Sequence, residues 1–265
     1  MDTSKLKTYD YFDSLNYRYK MTRAFPFISA HTIGKSVMGR EIAAFSLGNA
    51  DEYALFVGGM HGKNHFTSSF IMNFFFELCS AFENDGTIEG LKVKRALSGR
   101  GLIVIPCLNP DGCEIATKGK SALLNMKNPP TFLARNSFSD FTYNLRGVDL
   151  DRIFDIAPKK ECESSALYDF CKATPIRHVI VFEGGEGQII APCLNRNLQR
   201  SIQMSEIMIT STGYPVRFSE EGFTNWFSHT FKKPSFTALT PPPNEKEYPK
   251  GYLELRELMM LSAIM

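Results

Sequence analysis

Two histidines four residues apart, His61 and His65, are the first residues along the chain whose type and spacing suit metal chemistry. Imidazole nitrogens are good zinc donors, and a pair at i and i+4 on one helical face can share an ion. The helical HExxH arrangement also needs a glutamate after the first histidine as general base, and Gly62 stands there. Arg135 and Arg146 are cations that could line a pocket but read more readily as solvated surface, and Arg152 follows them in the same region. Asp151 lies beside Arg152, where it can pair with it. Glu183 closes an apolar run at a glycine-rich turn, and Glu186 three residues on reads as a solvated acid. His31, His178 and His229 read as structural or solvated.

These side chains need rigid elements behind them. Tyr53 to Val57 is an apolar run that stops at Gly58-Gly59, and the polar loop with both histidines follows. Phe66 to Phe82 then reads as a long buried helix, so the whole is strand, tight turn, loop, helix. In open α/β sheets such a loop lies at the carboxyl end of its strand, where ligands bind. Leu102 to Cys107 and His178 to Phe182 are continuous apolar strands of the kind that helices cover on both faces. Residues 33 to 42 predict two strands turning at Met38-Gly39. Helices are predicted near the N-terminus (in the tyrosine-rich residues 1 to 30), over 87–97, 162–172 and 198–211, and over 252–264; 118–141 predicts a surface loop.

Composition bounds the rest. The 265 residues are 43% hydrophobic and 22% charged, ordinary for a globular chain, and no linker divides them, so one domain over 1–265 is expected. A net charge of +2 is too balanced for a nucleic-acid or membrane-surface partner. No leader-like segment opens the chain and no apolar run approaches membrane-spanning length, so a cytoplasmic protein is expected. The six cysteines show no CxxC pair, most lie in or beside apolar segments, and they are read as reduced core cysteines. Phosphate-loop patterns fail on spacing or residue type, and no G-x-S-x-G elbow is present.

Several motifs occur together in one order. Gly58-Gly59-Met60-His61 ends a strand; Leu108-Asn109-Pro110-Asp111-Gly112 follows another; Asn144-Leu145-Arg146-Gly147-Val148-Asp149-Leu150-Asp151-Arg152 comes next. Gly222-Phe223-Thr224-Asn225-Trp226 and Pro234-Ser235-Phe236-Thr237-Ala238-Leu239 complete the set. Over residues 33 to 264 the chain resembles the zinc carboxypeptidases, and among them the bacterial branch that cuts γ-D-glutamyl bonds in cell-wall peptides. The resemblance implies a three-layer α/β fold: a mixed, mostly parallel sheet of about eight strands with helices on both faces.

It also implies roles, position by position. His61 falls on a zinc ligand and Arg152 on a carboxylate binder, with Asp151 and Arg146 beside it. Asn64 stands where the family has a glutamate ligand, Glu183 where it has the third-ligand histidine, and Leu239 where it has the general base. A leucine moves no proton. The expectation is therefore a relative without the family's catalysis, with no resident cofactor, that binds a small peptide, an amino-acid-like ligand or a protein partner. The alternative is an active metallopeptidase with a rebuilt site in which His61 and Glu183 hold zinc, with Asn64 or His65 as the third ligand.

Overall fold

The computed structural model describes residues 10–265 apart from 125, 127–129, 136 and 243–247; the Arg135 side chain and Tyr9 lie outside the described residues. In chain order the elements are α1 (Tyr11–Ala24), β1 (Ser29–Lys35), β2 (Glu41–Leu47), β3 (Tyr53–Val57), α2 (Phe66–Glu83), β4 (Thr87–Ile88), β5 (Leu91–Lys92), α3 (Val93–Ala96) and β6 (Gly101–Ile105). Then follow α4 (Pro110–Lys118), α5 (Cys162–Ala173), β7 (Ile176–Gly184), β8 (Gln188–Pro192), α6 (Gln199–Thr212), β9 (Val216–Ser219), α7 (Gly222–Phe231), β10 (Ser235–Thr240) and α8 (Tyr248–Ile264). Eight strands form one sheet in the order β1-β2-β6-β3-β7-β10-β8-β9. The central strands β6, β3, β7 and β10 run parallel, while β1, β2 and β8 join antiparallel. This is the three-layer arrangement expected of the sequence.

The central strands are apolar on both faces because both faces are covered. Phe45, Phe56, Val104, Phe182 and Phe236 pack into one cluster with residues of α2, α6 and α8. Leu55, Ile103, Ile105, Val179 and Val181 pack on the other face against α5 and α7. Helix α2 is buried nearly all round through its first three turns, which explains its phenylalanine content.

Two expectations change. Residues 87–97 are not one helix: Thr87–Ile88 and Leu91–Lys92 pair as a small hairpin, and only Val93–Ala96 is helical. Glu89 and Gly90 both have positive φ, +47° and +73°, as a two-residue primed hairpin turn requires and a helix forbids. The apolar spacing of Ile88, Leu91, Val93 and Leu97 suited either reading. The 118–141 stretch is also less irregular than expected, with short 3₁₀ turns at Gly119–Leu123 and Thr131–Arg135 over a small cluster around Ile115, Leu133 and Phe141.

The sheet order sets the position of the cleft. From β3 the chain goes to β6 on one side and later returns to the other side as β7, so connections diverge at the carboxyl ends. The His61 loop leaves β3 at that point. Gly58 and Gly59 let it pass against the end of β6: the Leu108 and Asn109 amides donate to their carbonyls at 3.0 and 2.9 Å. A Cβ on Gly58 would stand 2.8 Å from the Pro106 carbonyl oxygen. Asn109 then ties three segments together. Its Nδ2 donates to the Met60 and Tyr143 carbonyls, and its Oδ1 caps α4 through the Gly112 amide at 2.9 Å.

Gly62 is wedged between two backbones. A Cβ there would lie 2.4 Å from the Gly112 carbonyl oxygen and 2.6 Å from that of Phe141. Neither neighbour is a flexible side-chain end. We expect Gly62→Ala to destabilise the protein by about 1–3 kcal/mol, as overpacking does, measured by urea denaturation; a wild-type midpoint would show that the loop is not held in this way.

Candidate active site

The cleft at the strand ends encloses about 400 Å³. His61, Asn64, Asp149, Arg152, Glu183 and Leu239 all line it, together with Asp151 and Lys63. His61 lies just past β3, where extended backbone (φ −104°, ψ 134°) gives way to a single 3₁₀ turn, Gly62–Asn64. Glu183 is the penultimate residue of β7, and Leu239 of β10 sits beside it in parallel register. Parallel pairing of β3 with β7 thus brings together residues far apart in the chain.

His61 is engaged at both ring nitrogens. Nδ1 lies 3.3 Å from Glu183 Oε2 and Nε2 lies 3.0 Å from Asp149 Oδ1. Burial opposes a charge on this ring, but Glu183 and Asp149 outweigh it and push its pKa up to about 11. Burial also works against charge on Asp149; the hydrogen bond and charge of His61, with the Arg152 and Asp151 amides, hold its carboxyl down at about 2. Asn64 donates its amide Nδ2 to the same Glu183 oxygen that His61 approaches. Glu183 Oε1, buried, has no hydrogen-bond partner among the described residues.

Asp149 is the site residue that sequence reasoning missed. It stood at a matched position of a family motif with no role drawn from it. Its Oδ1 also accepts the backbone amides of Asp151 and Arg152 at 3.0 and 3.1 Å, which fixes it toward His61. An aspartate two residues before another turn residue is the available local signal.

Other predicted residues fall elsewhere. Asp151 does not pair with Arg152. It is pinned under the first turn of α7, where Oδ1 accepts the Phe223 amide at 2.8 Å, and burial pushes its pKa up to about 6. Gly222, at φ +81°, is required there, because a Cβ would meet the Asp151 carboxylate at 2.2 Å. Arg152 is exposed and forms its ion pair with Glu221, which lies at the entry to α7. Arg146 is exposed outside the cleft, 3.5 Å from Glu161. His65 does not line the cleft; it forms the junction between the 3₁₀ turn and α2, and its Nδ1 is buried. His178 is fully buried with Nε2 2.9 Å from the Ser262 carbonyl oxygen, and Glu186 is exposed. Of the cysteines, three are buried, Cys107 and Cys193 are half-buried, and Cys162 is exposed, so a core role fails for that one.

Residues 15–247 match the zinc carboxypeptidase family. The chain belongs to the zinc carboxypeptidase family. It is 26% identical over 257 residues to gamma-D-glutamyl-L-diamino acid endopeptidase 1 of Lysinibacillus sphaericus, covering 87% of this chain and 65% of that protein. It is 24% identical over 248 residues to the uncharacterized protein YqgT of Bacillus subtilis, covering 82% and 66%. The chain therefore spans less than two thirds of the length of these relatives. In fold it is similar to bovine thrombin-activatable fibrinolysis inhibitor (TM-score 0.72, 14% identity, 97% of this chain and 96% of that one). It is likewise similar to carboxypeptidase A of Helicoverpa armigera (TM-score 0.71, 15% identity, 97% and 73%).

The family is zinc-dependent, so the donors of this carboxypeptidase-like cleft can be tested against a zinc ion. A ligating histidine must be neutral with a free lone pair, and both His61 nitrogens here face carboxylates. Asn64 turns an N–H, not an oxygen, toward Glu183, and His65 is outside the cleft. The free Glu183 Oε1 supplies one donor where three are needed. Among the described residues, no group of three or more His, Cys, Asp or Glu side chains is arranged for a metal. The set does not fit zinc.

The charges predict a pH dependence. His61, raised in the fold, contributes stability that is complete below about 6.5 and lost as pH rises through about 11. Asp149, lowered, contributes above 3.8 and loses this as pH falls through about 2. The raised Asp151 contributes below 3.8 and loses this through about 6; the His61 charge holds this pKa down, so the loss is larger in His61→Gln. The Tm gap between wild type and His61→Gln is therefore expected to be widest at weakly acid pH, with Glu183 and Asp149 facing the ring, and to close in alkali. A gap that stays constant from about pH 5 to 10 would contradict the buried imidazolium.

Proposed function

We propose that this chain is a non-catalytic zinc carboxypeptidase relative whose cleft binds a small peptide or amino-acid-like ligand through its amine. The observation that carries this reading is Leu239, which lies beside Glu183 in the cleft wall at the position of the family's general base. Hydrolysis needs a group that takes a proton from water and returns it to the leaving amine. Leucine does neither, and the cleft carboxylates are engaged otherwise: Asp149 and Glu183 by His61, Asp151 by the Phe223 amide and Glu221 by Arg152.

The charge of the cleft favours an amine over a carboxylate. Its lining has four carboxylates, Asp149, Asp151, Glu183 and Glu221, against the three cations His61, Lys63 and Arg152. Arg152 is already paired with Glu221. Glu183 Oε1 is buried with no hydrogen-bond partner among the described residues, so a small turn of the carboxylate toward an ammonium in the cleft would relieve an otherwise costly unpaired oxygen. The competing reading, a rebuilt zinc site of His61, His65 and Glu183, draws on that same oxygen; the place of His65 outside the cleft counts against it.

Purified protein is expected to turn over neither C-terminal peptide nor γ-D-glutamyl-diamino acid substrates, with or without added zinc. Dipeptides with a free amine should bind by calorimetry at least about tenfold more tightly than their N-acetyl forms, the worth of one charge-assisted hydrogen bond. Zinc-dependent hydrolysis that a chelator abolishes would end this reading. Thermal denaturation separates the two independently. Glu183→Gln should lower the Tm, because it leaves the His61 imidazolium with Asp149 alone, and zinc should leave both proteins unshifted; a large zinc stabilisation confined to the wild type would make Glu183 a metal ligand.

A further inference from the structure

Beneath the turn that carries His61, two thiols are in contact. Cys107 follows β6 and Cys113 lies in the first turns of α4, and their sulfurs are 3.5 Å apart. Cys113 Sγ is also 3.7 Å from the Gly59 carbonyl oxygen, and Cys107 packs so closely on Gly59 that a Cβ there would stand 3.1 Å from its sulfur. The other cysteines take no part in this contact, and all six are free thiols. Nothing in the cleft chemistry uses the pair.

A recess leads to them from outside. It is bounded by Asp10, Tyr11 and Ser14 of the α1 region, by Pro106 and by both cysteines. Its open space is about 10 Å³, room for one water-sized molecule. A bulky disulfide is too large to enter, whereas hydrogen peroxide, with two heavy atoms, needs only a small opening of the recess to reach the sulfur. Cys107 is half-buried and Cys113 is buried, so an entering oxidant meets Cys107.

We propose that Cys107 and Cys113 form a reversible disulfide when the protein meets a hydroperoxide. The Cys107 thiolate attacks one peroxide oxygen: a sulfur–oxygen bond forms, the oxygen–oxygen bond breaks, and hydroxide leaves to take a proton as water. Cys113 sulfur then attacks the resulting sulfenic sulfur. A sulfur–sulfur bond forms, the sulfur–oxygen bond breaks, and the departing hydroxide takes the second thiol proton. Two thiols lose two electrons and two protons, and hydrogen peroxide becomes two waters. The sulfurs must close by about 1.5 Å to reach bonding distance. The Cys107 contact and burial together raise the Cys113 thiol well above its ordinary pKa, which suits the resolving role rather than first attack. A bond here would join the end of β6 to α4 directly under the Gly59 turn.

Peptide mapping of the reduced, full-length protein after stoichiometric hydrogen peroxide tests this. The expected product is a Cys107–Cys113 cross-linked peptide, with a loss of two from the six titratable thiols. Dithiothreitol should restore both, and neither dilution nor Cys162→Ser should prevent the bond. In Cys113→Ser, folded as judged by circular dichroism, Cys107 should stop as a sulfenic acid that dimedone traps. Wild-type protein in which Cys113 stays alkylatable while Cys107 accumulates sulfinic acid would overturn the proposal, as would a disulfide that runs only through exposed Cys162.

Discussion

His61 held between two carboxylates is the interaction on which the cleft depends. Its ring reaches Glu183 on one side and Asp149 on the other. Without a positive charge at that point, Glu183, almost fully buried at the end of β7, would be a carboxylate removed from water with little compensation. The imidazolium supplies the charge, Asn64 adds an amide donor, and Asp149 keeps the ring in place through amides of its own loop. A proton on His61 thus balances the carboxylates in a cleft where zinc supplies positive charge in the family's enzymes. The same arrangement denies a metal its imidazole lone pair.

The family's sequence signature persists around this altered centre because much of it is architectural. Asn109 joins the His61 loop, the 143 segment and the start of α4. Asp111, fully buried, accepts from Ser36 Oγ, the Met38 amide and Arg40 Nη1 at 2.8, 2.9 and 2.6 Å, which clamps the β1–β2 turn to α4. Asn144 shapes the turn into Asp149 by accepting the Arg146 and Val148 amides, and Asp151 caps α7. Each satisfies buried polar groups that would otherwise cost stability, whatever chemistry the cleft performs. Positions 64, 183 and 239 differ from the family pattern without disturbing these clamps.

The cleft wall has a corresponding economy. Arg152 and Glu221 close over one side as an exposed pair, which screening by water keeps weak. Gly222 lets α7 begin hard against Asp151, so the helix N-terminus faces a carboxylate of the chain itself. A ligand therefore meets a surface on which His61 and Arg152 are already paired, with the buried acceptor Glu183 Oε1 just behind it.

The strands β3, β6, β7 and β10 and helix α2 were legible in the sequence because burial on both sides leaves continuous apolar runs, a local signal. The Met38-Gly39 turn was legible for a similar reason, since Gly39 takes a positive φ of +78° that few residues adopt. The hairpin at 87–92 was not, because Glu89 takes a positive φ that its residue type does not announce. Leu239 at the base position could be read directly, since a missing carboxylate is a fact of sequence. Two of the charge pairings could not. Asp149 meets His61 across 88 residues, and Arg152 chooses Glu221 over its neighbour Asp151. Local periodicity fixes which face of an element is buried, but the partner of a loop carboxylate is fixed only when parallel strands and a helix N-terminus bring distant segments within hydrogen-bond reach.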